Sequence, residues 1–144
     1  VGVHATEPRY PRPTGATDLA RRATLGIGVA VVAVLAAQVL VDALGVDVGA
    51  SGPTSPFAAT PLVSSTIVSG AGATVVYAGL VRYTGRPVRN FVALSVVVFA
   101  LLLLPAVLVA PSLGISPAGQ AVLVGYHVLV AVPITAFLVG AVPR

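Results

Sequence analysis

Four apolar stretches dominate the sequence, each about as long as a bilayer is thick. They run from about Ala23 to Leu44, Leu62 to Val81, Phe91 to Ala110 and Ala118 to Val142. A hydrocarbon core needs roughly 20 helical residues at 1.5 Å rise, and each stretch supplies that length. Lipid offers no hydrogen-bond partner, so a spanning backbone must satisfy its own N–H and C=O groups, as a helix or a closed barrel does. The valines lie in contiguous runs rather than alternating, which excludes a barrel. The chain is expected to be all-α, an integral membrane up-down four-helix bundle over residues 19–144, preceded by a tail at 1–18.

Composition agrees. Only 8% of the 144 residues are charged, 57% are hydrophobic, and the mean hydropathy is +1.03. An average soluble domain carries about 25% charged residues, so a water-facing surface is not available to this chain. There is no cysteine, which removes disulfides, thiolate metal sites and thiol nucleophiles together. Methionine and lysine are also absent; the Ala-, Val-, Gly-, Pro- and Arg-rich usage suits a GC-rich prokaryotic genome, and Val1 fits either a GTG start or the end of a fragment.

The position of the charges says more than their sum. All eight basic residues are arginines: Arg9, Arg12, Arg21 and Arg22 before span one, Arg82, Arg86 and Arg89 between spans two and three, and Arg144 at the end. The other two loops hold none. Positive residues are retained in the cytoplasm, so both termini and the middle loop are expected inside, in the plasma membrane. Arg21, Arg22, Arg82, Arg86 and Arg89 read as topology determinants or lipid-headgroup contacts. Arg21-Arg22 lacks the flanking pattern of a twin-arginine signal. Net charge +4 would suggest nucleic acid in a soluble protein, but here the partners expected are the bilayer and a membrane protein or second copy. The Pro-rich tail lacks apolar periodicity and is expected to be disordered or draped on the membrane, with His4 solvated and Thr17 or Asp18 capping the first helix. Pro61 fits the first turn of the second.

The stretch "RYTGRPVRNF", the aliphatic run ending near Pro105, and "GYHVLVAV" together resemble a family of small four-helix prokaryotic membrane proteins known only as a domain of unknown function. The likeness covers about Leu19 to Val142 and rests on Arg86, Pro87, Arg89, Phe91, Pro105 and His127. It implies four spans and no particular activity.

Few side chains invite chemistry. Thr66, Gly70, Thr74 and Ala78 repeat every four residues, with Ser65, Ser69 and Ala73 in the next row; small residues on one face let helices approach closely in lipid. The row is a helix-packing ridge or a hydroxyl-lined path, and span two is expected to be the most buried helix. Pro105 and Pro133 each remove a backbone donor inside a span. His127 lies about 14 Å below Ala118, near mid-bilayer, where an ionisable group is expected to face the bundle. Gln120 shares its helix face, and Gln38 and Asp42, four apart on span one, lie at the outer end. Asp42 meets the unfavourable end of a helix dipole with no arginine on that side.

The candidate polar pocket is therefore His127, Asp42, Gln38, Gln120, Ser69 and Ser65, set against a purely structural histidine bonded to a serine or a carbonyl. One histidine and one carboxylate are too few ligands for a metal, and no catalytic motif is present, so neither metal, cofactor nor enzymatic activity is expected. Two functions remain. One is a non-enzymatic accessory or interaction subunit of a membrane assembly. The other is a minimal transporter or sensor whose outward-facing pocket binds a small solute or a proton. Small four-span exporters embed a glutamate in their first span, and the one glutamate here is Glu7, in the tail.

Overall fold

The computed structural model describes residues 9–143. Four helices, α1 (Ala16–Ala43), α2 (Ala59–Tyr83), α3 (Pro87–Leu108) and α4 (Pro117–Val139), make up the fold; a single 3-10 turn at Ala110–Leu113 precedes α4. Each of the four is long and apolar enough to cross a membrane, and the protein is a multi-pass membrane protein. Each helix begins before its apolar stretch, whereas α1, α3 and α4 end at Ala43, Leu108 and Val139, short of Leu44, Ala110 and Val142. α1 starts seven residues before Ala23 and at about 42 Å exceeds a core of roughly 30 Å.

The helix ends have local causes. Gly15, not Thr17 or Asp18, is the α1 N-cap and offers no side-chain oxygen; Asp18 sits in the first turn and accepts from the Thr14 N–H at 3.2 Å. Ser116 caps α4, its Oγ accepting from the Gly119 N–H at 3.0 Å, with Pro117 next, where a missing donor costs nothing. α4 stops at Gly140, whose φ of 77° is a left-handed conformation that suits glycine. Pro61 does fall in the first turn of α2.

α1 packs most extensively on α4, then on α2; α3 leans on α4 and more sparsely on α2. The α1 seam is a strict row at four-residue spacing, Arg22, Gly26, Ala30 and Val34, all buried. A Cβ at Gly26 would stand 3.1 Å from Phe137 Cβ and 3.3 Å from Ile134 Cα, so the α1 and α4 backbones are nearly touching. The expectation that span two is the most buried is thus corrected. α2 is buried to the same extent as α1 and α4, and the tight seam belongs to α1 and α4.

Two apolar clusters cap the bundle. One gathers Ala30, Tyr77, Phe91, Ile134, Leu138 and Val139. The other gathers Val34, Phe57, Leu62, Ala110, Ile115 and Tyr126. Hydrogen bonds define the same two ends. At the first, Arg12 donates to the Gly85 carbonyl at 2.9 Å, and Arg22 donates to the carbonyls of Pro11 (3.0 Å) and Leu138 (3.2 Å). Residues 11 and 12 therefore form a strap over the helix ends. The described part of the expected loose tail is bonded in place; residues 1–8, including His4, lie outside the described residues. At the other end Ser116 Oγ donates to the Asp47 carbonyl (2.6 Å) and its N–H to Val48 (3.0 Å).

Candidate functional site: a lateral cleft between α2, α3 and α4

α3 touches the bundle at its ends and stands off in the middle. Its buried residues are Pro87, Phe91 and Ala106; between Phe91 and Ala106 none is buried. That gap is a cleft of about 580 Å³. Ser65, Ser69, Gly72 and Val76 of α2 form one wall, and Leu94, Val98 and Leu102 of α3 the other. These seven are exposed, so the cleft opens sideways between α2 and α3. Its floor is α4: Leu123, Tyr126, His127, Val130 and Ile134. Ser95 and Thr135 add hydroxyls to an otherwise apolar surface.

His127 lines this cleft, half-buried, and its Nδ1 lies 2.7 Å from the Leu123 carbonyl one turn earlier. A carbonyl only accepts, so Nδ1 carries the hydrogen, and Nε2 of the neutral ring is left as the acceptor. The imidazole is thus held by its own helix. The expected approach to Asp42 through Gln38 does not form. The neighbouring Tyr126 takes that place: its hydroxyl donates to Gln38 Oε1 at 2.6 Å, and Gln38 Nε2 donates to Asp42 Oδ1 at 2.8 Å. Adjacent residues on a helix point about 100° apart, so when Tyr126 faces α1, His127 faces the cleft. Tyr126 lines the cleft as well, and so links it to the chain leading to Asp42.

The other expected pocket residues separate. Gln120 Nε2 donates to the carbonyls of Ala106 (3.1 Å) and Val107 (3.0 Å), closing the last turn of α3, whose C-terminal carbonyls lack partners within the helix. Ser65 bonds back to Leu62 at 3.2 Å and lines the cleft beside Ser69. The site is therefore His127, Tyr126, Ser65 and Ser69 around apolar walls, with Asp42 and Gln38 behind Tyr126. Among the described residues no three His, Asp or Glu side chains gather as metal ligands would.

The packing row keeps its role. Thr66 and Gly70 are buried, Thr74 and Ala78 half-buried, and both threonines bond back into α2 at 2.7 Å, satisfying their hydroxyls without a path. A Cβ at Gly70 would overlap Ile27 of α1, so this glycine makes the notch that receives Ile27.

The model of a family of unknown function, DUF6069, matches residues 14–144, from just before α1 through all four helices. The chain belongs to the DUF6069 family. This is consistent with the resemblance found on Arg86, Pro87, Arg89, Phe91, Pro105 and His127. No curated protein matches the chain, and no solved structure does.

In this DUF6069 chain the arginines divide. Arg21, Arg82, Arg86 and Arg89 are exposed, as headgroup contacts require, and Arg82 lies over the Tyr83 ring at 5.6 Å. Arg22 is corrected. It is 2% exposed and pairs with Asp18 at 3.1 Å while holding Pro11 and Leu138. A cation at the C-terminal carbonyls of α4 complements that helix's dipole. Tyr126 and Arg12 were outside the expected set. The signal for Tyr126 was its seven-residue spacing from Gly119, which puts both on the buried face of α4.

Proposed function

We propose that the protein is a non-enzymatic accessory subunit of the plasma membrane, an up-down bundle with both ends cytoplasmic, whose lateral cleft receives a transmembrane helix of a partner protein. One observation carries this reading: a histidine, a tyrosine, three serines and two threonines line a cleft at span depth that opens toward the surroundings. Polar groups facing acyl chains are unfavourable, whereas small and hydroxyl-bearing faces are the surfaces on which membrane helices associate. Gly72 and Ser69 leave room for a backbone, and Leu94, Val98 and Leu102 supply the facing ridge. The orientation rests on the described arginines, which gather at one end of the bundle, as the positive-inside bias requires.

The test places a photo-crosslinking residue at Gly72 or Val98, and at Val132 on the outer face of α4, in native membranes. A defined protein adduct from the first two positions and none from Val132 is the expected result. Equal labelling at all three would overturn it. Cysteines at Ser51 and Ser112 should react with an impermeant reagent from outside and one at Thr84 should not; reaction at Thr84 in intact cells reverses the orientation.

A second reading, a minimal transporter or sensor for a small solute, is favoured by the cleft's volume, within the roughly 300–1,000 Å³ of ligand pockets, and by the Nε2 acceptor at its floor. The solute would be an amphiphile with a hydrogen-bond donor, entering sideways rather than from outside. A covalent adduct of small-molecule mass at Gly72 or Val98 in the same experiment would identify it.

A further inference from the structure

The arginine-bearing end holds a second cleft, about 450 Å³, between the strap and the turn that joins α2 to α3. Arg12 lines it from the strap, Arg86 and Arg89 from the start of α3, and among the described residues no acid lines it. Of the described acids, Asp18 is paired with Arg22, and Asp42 and Asp47 belong to the opposite end of the bundle. Among the described residues the positive field in the cleft is therefore uncompensated.

Three arginines border this one concavity. Arg12 gives one Nη2 hydrogen bond to the Gly85 carbonyl, which fixes it on the cleft while its other donors remain. Arg86 is the α3 N-cap without a side-chain cap, and Pro87 has no N–H, so the free first-turn donors are the N–H groups of Val88 and Arg89. Both residues line the cleft. Arginine forks and the positive end of a 22-residue helix thus meet in one concavity. Tyr10 borders it, with Arg9 over its ring at 5.8 Å, an aromatic of the kind found at headgroup depth.

We propose that this cleft binds a phosphate group, and that its source is the headgroup of an anionic phospholipid. The depth favours the lipid: the cleft lies where α3 begins its crossing, at the boundary of hydrocarbon and water. A phosphate bridging Arg12 to Arg86 and Arg89 ties the strap to the α2–α3 turn. The site is independent of the lateral cleft, which lies further along the helices.

The full chain in neutral detergent is melted by circular dichroism with phosphatidylglycerol, with phosphatidylcholine, and with sodium phosphate against sodium chloride at equal ionic strength. Phosphatidylglycerol should raise the midpoint by about 5 °C, phosphatidylcholine and sodium phosphate far less. Arg86→Gln with Arg89→Gln should abolish the shift, and Arg21→Gln with Arg82→Gln, which removes the same charge outside the cleft, should diminish it far less. Arg12→Gln, which leaves α3 intact, should halve it or more, and native mass spectrometry should show fewer retained phosphatidylglycerol molecules. A sodium phosphate shift equal to that of phosphatidylglycerol overturns the lipid source in favour of a soluble phosphate. No shift in any arm, or one undiminished in the Arg86/Arg89 variant, overturns the site.

Discussion

The α1–α4 seam and the α2–α3 face are built from the same few residue types yet behave as opposites. On the seam, small residues bring backbones together: Gly26 and Ala30 are buried against α4, and Arg22 reaches across to the Leu138 carbonyl. On the face, small residues meet nothing. Gly72 has open space where a Cβ would go, and α3, the most apolar and least buried of the four spans, stands away. In lipid there is no hydrophobic drive to close such a gap, so close packing is what separates a structural contact from a vacant one. The difference shows that small-residue rows in a membrane protein have two uses, holding the fold together and leaving room for something else.

The sharpest way to break the comparison is at Arg22. Arg22→Leu removes the ion pair to Asp18 and the hydrogen bonds to the Pro11 and Leu138 carbonyls together, and it should destabilise the bundle by about 3 kcal/mol or more, as loss of one partner of a buried pair does. Reversible unfolding in mixed micelles reads it out. A loss below about 1 kcal/mol would return Arg22 to the headgroup role of its exposed neighbour Arg21.

Next come the two glycines that define the contrast. Gly26→Leu drives a side chain into the Ile134 and Phe137 backbone region and should cost about 2 kcal/mol, while Gly72→Leu, with free space around it, should stay within about 0.5 kcal/mol. Equal losses would mean that the cleft closes in solution. A smaller effect belongs to Gln120→Leu. Removing the amide leaves the Ala106 and Val107 carbonyls to other partners, a loss of about 1 kcal/mol that should appear as faster hydrogen exchange in the turn after α3.

The spans were legible because lipid leaves the backbone so few options that length and hydropathy nearly decide the fold. Side-chain direction was not legible to the same degree. Arg21 and Arg22 count equally toward a charge rule, but one points outward and the other lies in the row Gly26, Ala30, Val34; the Asp18 to Arg22 spacing of four was the available clue. Depth put Gln38 between His127 and Asp42, yet depth alone does not decide which of two adjacent α4 residues turns toward α1. The strap was missed for a different reason. A Pro-rich segment with no periodicity carries no signal for bonds to carbonyls more than 70 residues away, such as Arg12 to Gly85.

His127 should give the smallest stability change of all. Its hydrogen bond runs to the Leu123 carbonyl of its own helix, a group already engaged in backbone bonding, so removal orphans no side chain on another helix. The imidazole is half-buried and faces the cleft rather than α1. His127→Leu should therefore change unfolding free energy by less than about 0.5 kcal/mol, whereas Tyr126→Phe, which breaks the link to Gln38, should cost about 1 kcal/mol. Nitrogen NMR of the neutral ring should assign the bare nitrogen to Nε2. If the bare nitrogen proves to be Nδ1, or if His127→Leu unfolds the bundle as readily as Gly26→Leu, the ring belongs to the packed fold. If both expectations hold, a histidine that contributes so little to the fold is free to serve whatever occupies the cleft, and its substitution should weaken the partner adduct at Gly72 while leaving the bundle intact.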